Sequence, residues 1–365
     1  MKVCHLTSAH PSDDIRIFHK ECVSLANNGF EVYLVVADEK SRIENGVNVL
    51  SVERSTRGRL KRMFKTTRSV YQKALEVDAD IYHFHDPELL PYGMRLQRKG
   101  KKVIYDVHED VPKQIMDKHW IPSLFRGLIS WIFKKYEMYC AKRLSGIISV
   151  TPIICARFSE VNKQVQMVAN YPLIQEGEQM KTSIIDKKLN QICYVGGLFP
   201  TRGVKELVEA MELTNATLEL AGNFSPAEFE QEVRGLSGWS KVNYLGHVDR
   251  QKIMTILQSS IAGIVTLHPT RSYVEALPIK LFEYMSAGIP VIASDFPMWR
   301  AIVDECACGI CVDPLNHKEI AEAINTLISN PELAREMGEN GRKAYFEKYN
   351  WSAEEKKLVE FYRSI

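Results

Sequence analysis

Residues 271–293 read R-S-Y-V-E-A-L-P-I-K-L-F-E-Y-M-S-A-G-I-P-V-I-A, and this stretch decides the fold of the second half of the chain. Pro278 suits the first position of a helix, where a missing N–H costs nothing. The sequence therefore predicts a helix over residues 279–287 that ends at Gly288. The apolar residues from Pro290 onward predict a buried strand.

Two carboxylates stand close together in this stretch. Glu275 precedes the predicted helix and Glu283 lies in its second turn, so both can reach one ligand. The backbone N–H groups at the helix start favour an anion such as a diphosphate, and Lys280 adds a formal positive charge. Carboxylates beside a diphosphate suit sugar and ribose hydroxyls. The alternative interpretation is an amphipathic core helix with two exposed acids.

The segment E-A-L-P-I-K-L-F-E-Y-M-S-A-G-I-P-V at residues 275–291 resembles the donor-site signature of glycosyltransferase family 4, whose members are retaining nucleotide-sugar enzymes with the GT-B fold. The resemblance implies that Glu283 holds the ribose and that Glu275 contacts the donor sugar. It also implies donor contacts around the start of the helix, at Leu277, Pro278, Ile279, Lys280 and Leu281.

The composition is that of a globular protein with room for about two domains. The chain has 365 residues, of which 45% are hydrophobic and 25% charged, and eight cysteines without the paired spacing of a zinc site. Its net charge of +2 is unevenly spread, since residues 1–170 hold 27 Lys and Arg against 19 Asp and Glu. With no apolar run long enough to span a bilayer and no secretion signal at the start, we expect a cytoplasmic protein.

Apolar strands alternate with helical patterns along both halves of the chain. This alternation predicts an α/β protein with two doubly wound Rossmann-like domains, at residues 1–170 and 190–350. The layout agrees with the GT-B fold, in which two such domains face a central cleft, and that resemblance implies that a final helix at residues 351–365 packs back on the first domain. A nicotinamide enzyme is disfavoured because T-S-A-H-P-S-D-D, not G-x-G-x-x-G, follows the first predicted strand.

The segment Gly196-Gly-Leu-Phe-Pro-Thr-Arg-Gly203 links a predicted strand to a predicted helix. Glycine lets a phosphate approach the backbone, and Arg202 can bind it with two nitrogens. The motif resembles the family's G-R-x-x-x-x-K-G loop, with Arg202 at the Lys position and Gly197 at the Arg position. Lys280 is the candidate to replace the missing cation, and a plain turn is the alternative. Backbone contacts to the base are expected at Gly222, Asn223, His247 and Val248.

Histidines follow two strands of the predicted first sheet, where ligand sites of open α/β sheets form. His108 lies in D-V-H-E-D, similar to the family's D-x-H motif beside the transferred sugar, which implies that it places a donor hydroxyl or the acceptor. The alternative is a loop-capping histidine oriented by Asp106. His83 and His85 lack a third metal ligand and are expected to line the cleft, while Asp86 suits a helix N-cap.

Residues 9–16, A-H-P-S-D-D-I-R, occupy the place of the glycine-rich first loop of many family members. The pattern H-P-x-x-D-x-R-I-F resembles a subgroup associated with bacterial surface polysaccharides, which implies a loop that faces the acceptor. The alternative is a capped helix start. The acceptor-side candidates are His10, Asp13, Asp14, Arg16, His85 and Asp86.

Two basic segments of the first half predict either solvated helix faces or docking on an anionic membrane, which would make the protein peripheral at the inner face of the cell membrane. The second is W-I-P-S-L-F-R-G-L-I-S-W-I-F-K-K at residues 120–135. Nucleic acid is not expected, because no nucleic-acid-binding motif accompanies the charges. The cations of the first segment are Arg54, Arg57, Arg59, Lys61, Arg62, Lys65, Arg68 and Lys73.

Together these motifs predict a glycosyltransferase that moves a sugar from a nucleoside diphosphate to a glycan or lipid-linked acceptor. The resemblance implies retention of the anomeric configuration and a role in surface polysaccharide synthesis. Arg202 and Lys280 would offset charge on the leaving diphosphate, so that no metal or other cofactor is needed. Glu275 would position the sugar and His108 would orient the reacting face. The alternative is a non-catalytic GT-B subunit that binds a sugar nucleotide in a polysaccharide assembly complex, and an epimerase or hydrolase is a third candidate.

Overall fold

The structure is a computed structural model that describes residues 1–38, 40–53, 62–118, 121–182 and 187–365. It divides into two compact units. Unit 1 comprises Met1–Asn170 and Trp351–Ile365, and unit 2 comprises Tyr171–Asn350. Several residues of the predicted basic segments lie outside the described residues, namely Arg54, Arg57, Arg59, Lys61 and Trp120.

Unit 1 contains one eight-stranded sheet. Its strands are β1 (Lys2–Leu6), β2 (Glu31–Val36), β3 (Arg42–Glu44), β4 (Val47–Ser51), β5 (Ile81–Phe84), β6 (Lys102–Val107), β7 (Gly146–Ser149) and β8 (Val165–Met167). They lie in the order β3-β4-β2-β1-β5-β6-β7-β8, and all neighbours are parallel except β3 and β4. Every residue of β5 and β7 is buried, as expected when helices cover both faces of a parallel sheet.

The helices of unit 1 follow the predicted alternation. They are α1 (Val23–Asn27), α2 (Thr67–Val77), α3 (Leu90–Arg98), α4 (Val111–Asp117), α5 (Ser123–Ala141) and α6 (Pro152–Ser159). The segment before α1 is a π-helix at Ile15–Cys22. Arg16, Lys20 and Glu21 are all buried in this wider turn.

Unit 2 contains a six-stranded parallel sheet. Its strands are β9 (Gln191–Val195), β10 (Thr217–Ala221), β11 (Val242–Gly246), β12 (Ala262–Val265), β13 (Val291–Ser294) and β14 (Gly309–Val312), in the order β11-β10-β9-β12-β13-β14. The chain crosses from β11 back to β12 beside β9, so the strand order reverses next to β9. Ligands of doubly wound sheets bind at the carboxyl ends of the strands at such a switch point.

Helices cover this second sheet as well. They are α7 (Ile174–Thr182), α8 (Val204–Glu212), α9 (Ala227–Arg234), α10 (Arg250–Ser259), α11 (Ile279–Ala287), α12 (Pro297–Cys306), α13 (His317–Ser329) and α14 (Pro331–Glu347). Helix α11 has the predicted bounds, but Pro278 is its N-cap and not its first residue. Helix α7 lies in the stretch from 170 to 190 that showed no periodicity in the sequence.

The last helix, α15 (Trp351–Ser364), belongs to unit 1. Trp351 Nε1 donates a hydrogen bond to Ser24 Oγ at 2.8 Å, and Tyr362 is fully buried. None of the helices in the described residues is long and apolar enough to cross a membrane.

Candidate functional site

A pair of glycines brings the carboxyl ends of β9 and β10 close together. Gly196 and Gly222 both have positive φ, of 138° and 142°, which other residues rarely adopt. Gly196 N donates to Ala221 O at 2.8 Å and Gly222 N to Gly246 O at 2.7 Å. A Cβ atom on Gly222 would lie 1.9 Å from the carbonyl oxygen of Gly196. Close backbone approach therefore requires glycine at this edge of the sheet.

Replacing Gly222 by Ala is expected to lower the melting temperature of unit 2 clearly more than replacing Gly246 by Ala. Both positions have positive φ, but a Cβ on Gly246 would meet open space. Gly246→Ala should lower the free energy of unfolding by about 1–2 kcal/mol through the strained conformation alone. Gly222→Ala should lower it by about 1–3 kcal/mol more, because of the backbone clash. Thermal unfolding by circular dichroism measures the difference, and equal melting temperatures would show that the turn relaxes freely.

This edge of the sheet opens into a cavity of about 430 Å³. The structure brings together here six residues that were predicted to bind the donor: Gly196, Gly197, Gly222, Asn223, His247 and Val248. Apolar side chains complete the lining, among them Phe199, Phe224 and Ile253, which the sequence analysis did not identify. The cavity combines backbone polar groups with flat apolar surfaces, a composition that suits a planar base.

Two cations lie beside the glycine turn. Lys280 Nζ is buried 4.0 Å from the centroid of the Tyr194 ring and has no hydrogen-bond partner among the described residues. Burial, with the nearby charge of Arg202, lowers the pKa of Lys280 to about 7. Arg202 Nε is likewise buried without a partner, and the guanidinium lies 5.5 Å from the centroid of the Tyr273 ring. A buried ammonium group without a partner, such as that of Lys280, is costly, and an anionic ligand would relieve that cost.

The distance between Lys280 and the glycine turn is short. A Cβ atom on Gly196 would come within 2.5 Å of Lys280 Nζ. The ammonium group therefore occupies the space that any larger residue at this position would need. The structure thus places Lys280 next to the glycine loop, where the sequence analysis expected a cation to replace the family's arginine at Gly197.

Helix α11 holds the remaining donor-side residues. No side chain caps its start at Ile279, and Leu281 is buried whereas Leu277 and Ile279 are half-buried. Glu275 lies on the loop before the helix and is half-buried. The side chain of Glu283, in the second turn, is 16% exposed. The two carboxylates and Lys280 thus lie on neighbouring parts of one loop–helix segment.

Glu283 forms an ion pair with Arg250, a residue that no sequence motif indicated. Arg250 Nη1 lies 2.7 Å from Glu283 Oε1, and Arg250 Nε donates to Glu176 Oε1 at 2.9 Å. These contacts, despite burial, raise the pKa of the guanidinium above its ordinary value. The three residues are far apart in sequence, so no local motif signalled the pairing. Arg250 fixes one oxygen of the carboxylate that was predicted to bind the ribose.

In unit 1, the carboxyl ends of β1, β5 and β6 meet around Asp106. This carboxylate is fully buried, and Arg16 donates to both of its oxygens, from Nε at 3.1 Å and Nη2 at 3.0 Å. His108 Nε2 lies 2.8 Å and His85 Nδ1 3.2 Å from Asp106 Oδ2. Burial raises the pKa of Asp106, but Arg16 and the two histidines outweigh burial and hold it well below its usual range.

One arrangement of protons satisfies the histidines around Asp106. A carboxylate only accepts, so His85 Nδ1 and His108 Nε2 both carry protons. His85 Nε2 then accepts from His5 Nδ1 at 2.9 Å, and His5 Nε2 accepts from the Tyr362 hydroxyl at 3.2 Å. We assign these roles from the network. In its neutral form His108 therefore keeps Nδ1 as a hydrogen-bond acceptor, and this side chain is 20% exposed.

The network continues through Tyr362 to His83. The Tyr362 oxygen accepts from His83 Nδ1 at 2.6 Å. Burial lowers the pKa of His85 to about 4 and those of His5 and His83 well below their usual value. The buried imidazoles are thus neutral, as the assigned proton arrangement requires.

The acceptor-side candidates separate into exposed and buried groups. Asp13 is exposed and His10 is 33% exposed, with its ring centroid 5.5 Å from that of His108. Asp14 instead caps the following helix, since its Oδ1 accepts from the backbone N of Arg16 and Ile17 at 2.9 Å. For Asp14 the alternative prediction of a capped helix start is thus confirmed.

Three of the acceptor-side candidates are buried, because ion pairs and hydrogen bonds turn their side chains inward. Arg16 is committed to Asp106 and Glu21, at 3.0 Å each, and His85 to the network. Asp86 is buried and does not cap the 3₁₀ turn after it. Its Oδ2 accepts from Ser8 N at 2.5 Å, and its Oδ1 lies 3.1 Å from His10 Nδ1. His83, which was expected to line the cleft, is fully buried in unit 1.

The expectation that His83 and His85 lack further metal ligands was also wrong. His5 and Glu21 bring their ligand atoms within 4.8 Å of both, and His85, Asp106 and His108 form a second such group. Nitrogen atoms on one tetrahedral zinc lie about 3.3 Å apart, given Zn–N distances of about 2.0–2.1 Å. The His5–His85 separation of 2.9 Å is that of a hydrogen bond. The geometry therefore fits the hydrogen-bond network better than a metal centre.

Comparisons with known proteins agree with this architecture. A family model described as "Glycosyltransferase Family 4" matches residues 17–170, and one described as "Glycosyl transferases group 1" matches residues 175–344. The chain is 31% identical over 183 residues to the alpha-D-kanosaminyltransferase of Streptomyces kanamyceticus, covering 48% of this chain and 45% of that protein. The chain thus spans about half the length of the curated relatives it matches.

Two solved structures are similar over the whole chain. Sucrose-phosphate synthase from Thermosynechococcus elongatus has a TM-score of 0.78 at 19% identity and covers 100% of this chain and 98% of its own. Anabaena HepE in complex with UDP-glucose has a TM-score of 0.75 at 14% identity and covers 100% of both chains. The two family matches and the paired Rossmann-like sheets lead to one conclusion: the chain belongs to the GT-B glycosyltransferases of family 4.

Proposed function

We propose that this protein transfers a sugar from a nucleoside diphosphate to a glycan or lipid-linked acceptor, with retention of the anomeric configuration and without a metal ion. The observation that carries the proposal is the buried, unpartnered amine of Lys280, with the half-buried Arg202 near it, beside the glycine turn of a cavity that suits a base. A nucleoside diphosphate has the matching parts, because its base fills the cavity while its phosphates meet the cations.

The proposed roles follow from charge and position. Lys280 and Arg202 stabilise the negative charge that develops on the leaving diphosphate, as fixed cations in a water-poor site do well. Glu283, oriented by Arg250, binds the ribose hydroxyls, and Glu275 binds the donor sugar. In the proposed complex Lys280, Arg202 and the N-terminus of α11 balance the charge of both phosphates. A divalent ion is therefore not required.

For unit 1 we propose that His108 binds a sugar hydroxyl through Nδ1. Asp106 accepts from Nε2, so the opposite nitrogen faces the substrate as an acceptor. His10, backed by Asp86, is the second exposed imidazole at this edge. Asp86 raises the pKa of His10 despite its partial burial, which favours His10 as a hydrogen-bond donor.

Nucleotide binding tests the donor side first. UDP, GDP, ADP and CDP are added separately, with magnesium or with EDTA, and the melting temperature is recorded. One nucleotide at about a hundred times its dissociation constant should stabilise the protein by about 2.7 kcal/mol, in EDTA as well. UDP is the first choice, since a similar structure holds UDP-glucose.

Two variants make this test specific. Glu283→Ala should lose most of the stabilisation, whereas Glu332→Ala, an exposed carboxylate of unit 2 paired with Arg335, should keep it. Stabilisation by none of the four nucleotides would overturn the proposed donor. A requirement for magnesium would overturn metal independence alone. The anomeric configuration of the product, read by NMR once an acceptor is known, decides retention.

A further inference from the structure

Helix α5 of unit 1 exposes a large apolar face. Leu128 is 56% exposed and Trp131 58% exposed, although both are residues that globular proteins normally cover. Four more members of this face are similarly open, so that six residues within nine positions share the property: Leu124, Phe125, Leu128, Ile129, Trp131 and Ile132. Tyr136 and Tyr139 extend the exposed face toward the end of the helix.

This face lies opposite the side by which α5 packs on unit 1. The packed side carries Ser130, whose Oγ donates to Pro112 O at 2.7 Å, and Glu137, which is buried against Arg157 at 2.9 Å. At about 100° per residue, the exposed apolar residues span roughly 160° of the circumference, centred opposite these two contacts. The helix therefore packs on unit 1 by one side and leaves its apolar face exposed.

The exposed charges on α5 and just after its last residue are all positive. Between Asp117 and Glu137 the sequence contains no acidic residue, whereas Lys134 and Lys135 are exposed. One turn beyond Tyr139, Lys142 and Arg143 are exposed as well. A lipid surface with anionic headgroups complements this combination, because apolar and aromatic side chains enter the headgroup–acyl boundary while lysines bind phosphates.

We propose that the exposed face of α5, residues 124–139, docks on an anionic lipid bilayer and lies in the plane of its surface. The proposed docking surface involves neither the donor site nor the proposed transfer reaction. It consists of α5 alone, because much of the other predicted basic segment lies outside the described residues.

Vesicle binding tests the proposal without any nucleotide. The full chain is sedimented with vesicles of phosphatidylcholine alone or with about one third phosphatidylglycerol. We expect binding to the anionic vesicles to be at least about ten-fold stronger, because each nearby Lys contributes roughly five-fold. Trp131 fluorescence should shift to shorter wavelength on the same vesicles, and Trp131→Phe should remove that shift.

Matched variants identify the surface. Leu128→Ser with Ile132→Ser should lower the bound fraction about ten-fold, and Lys134→Glu with Lys135→Glu should do so on anionic vesicles. Leu315→Ser is the control, because Leu315 is 52% exposed but lies in unit 2. A far-ultraviolet circular dichroism spectrum and a melting temperature like those of the wild type confirm that each variant is folded.

Two results would overturn the proposal. One is equal binding of wild type and the Leu128/Ile132 variant. The other is a wild-type protein that does not bind vesicles but forms a dimer in sedimentation velocity, with the dimer lost in the Leu128/Ile132 variant. In that case the exposed face would pack against a second copy of the chain.

Discussion

Asp106→Asn is expected to destabilise unit 1 by about 3–5 kcal/mol, because it removes one partner of a fully buried charge network. Asp106 accepts both Arg16 hydrogen bonds, and the only other carboxylate within salt-bridge range of Arg16 in the described residues is Glu21. Burial and the charge of Asp106 raise the pKa of Glu21. An amide at position 106 would leave Arg16 without the charge that now balances it.

Hydrogen exchange is the suitable measurement, because the two units need not unfold together. Protection should fall in β5 and β6 of the variant, while β12 and β13 of unit 2 serve as an internal reference. Asp295→Asn is the matched control, since Asp295 forms an exposed ion pair with Arg300 and its loss should cost less than about 1 kcal/mol. Similar losses in both variants would contradict the network.

A double-mutant cycle separates the ion pair from packing. If Arg16 and Asp106 are coupled as described, Arg16→Met combined with Asp106→Asn should cost less than the two single changes added together. Additive effects would mean that each residue acts through other neighbours. The purified protein should also contain no stoichiometric zinc by elemental analysis if the imidazoles form a hydrogen-bond network and not a metal centre.

Lys280→Met is expected to weaken binding of the cognate nucleoside diphosphate by about a hundred-fold, since a charge-assisted contact contributes about 1.5–3 kcal/mol. The pH dependence of nucleotide affinity is a more specific test of Lys280. In the unliganded protein burial holds the pKa of Lys280 at about 7, and the bound diphosphate favours the charged amine. Above pH 7 binding must therefore take up a proton, and affinity falls as pH rises.

The expected change is roughly ten- to thirty-fold weaker binding at pH 8.5 than at pH 6.5. Isothermal titration in two buffers of different ionisation enthalpy measures both the affinity and the proton uptake. The Lys280→Met variant should show neither effect, and Lys205→Met, which changes an exposed Lys paired with Glu232, should behave like wild type. A pH-independent affinity in wild type would mean that Lys280 does not meet the phosphates.

The same pKa shift makes a prediction for the unliganded protein. The unfolded chain holds the Lys280 proton up to its ordinary pKa of 10.5, whereas the folded chain releases it near 7. Folding stability should therefore rise with pH between these values, and the burial cost is fully present below pH 7. Lys280→Met should remove this rise, because methionine does not titrate.

Local patterns predicted much of the fold and part of the donor side. Helix α11 has the bounds that Gly288 and the apolar period indicated, and the glycine loop lies beside Lys280. Both are signals that a few neighbouring residues carry. The pairing of Arg250 with Glu283 left no such signal, because it joins residues 33 positions apart across two helices.

In unit 1 the sequence indicated which polar residues are candidates for the site, but not whether they are exposed. His85, Asp86 and Arg16 follow or precede strands in positions typical of ligand sites, and polarity favoured a solvent-facing interpretation. Their burial depends on long-range partners, such as the contact of Arg16 with Asp106, 90 positions away. A buried charge is tolerated only with such a partner, and the partner is visible only in three dimensions.

The placement of Tyr362 has a consequence for the order in which the protein is made. Its hydroxyl bonds to His83 and His5 inside unit 1, yet the ribosome synthesises it only after all of Tyr171–Asn350. At about 5–20 residues per second this delay is about 10–40 s. Unit 2, continuous in sequence, can therefore complete its core first during translation. During this time the first 170 residues lack helix α15, whose Tyr362 fills part of their interior. A chaperone can bind them in that period.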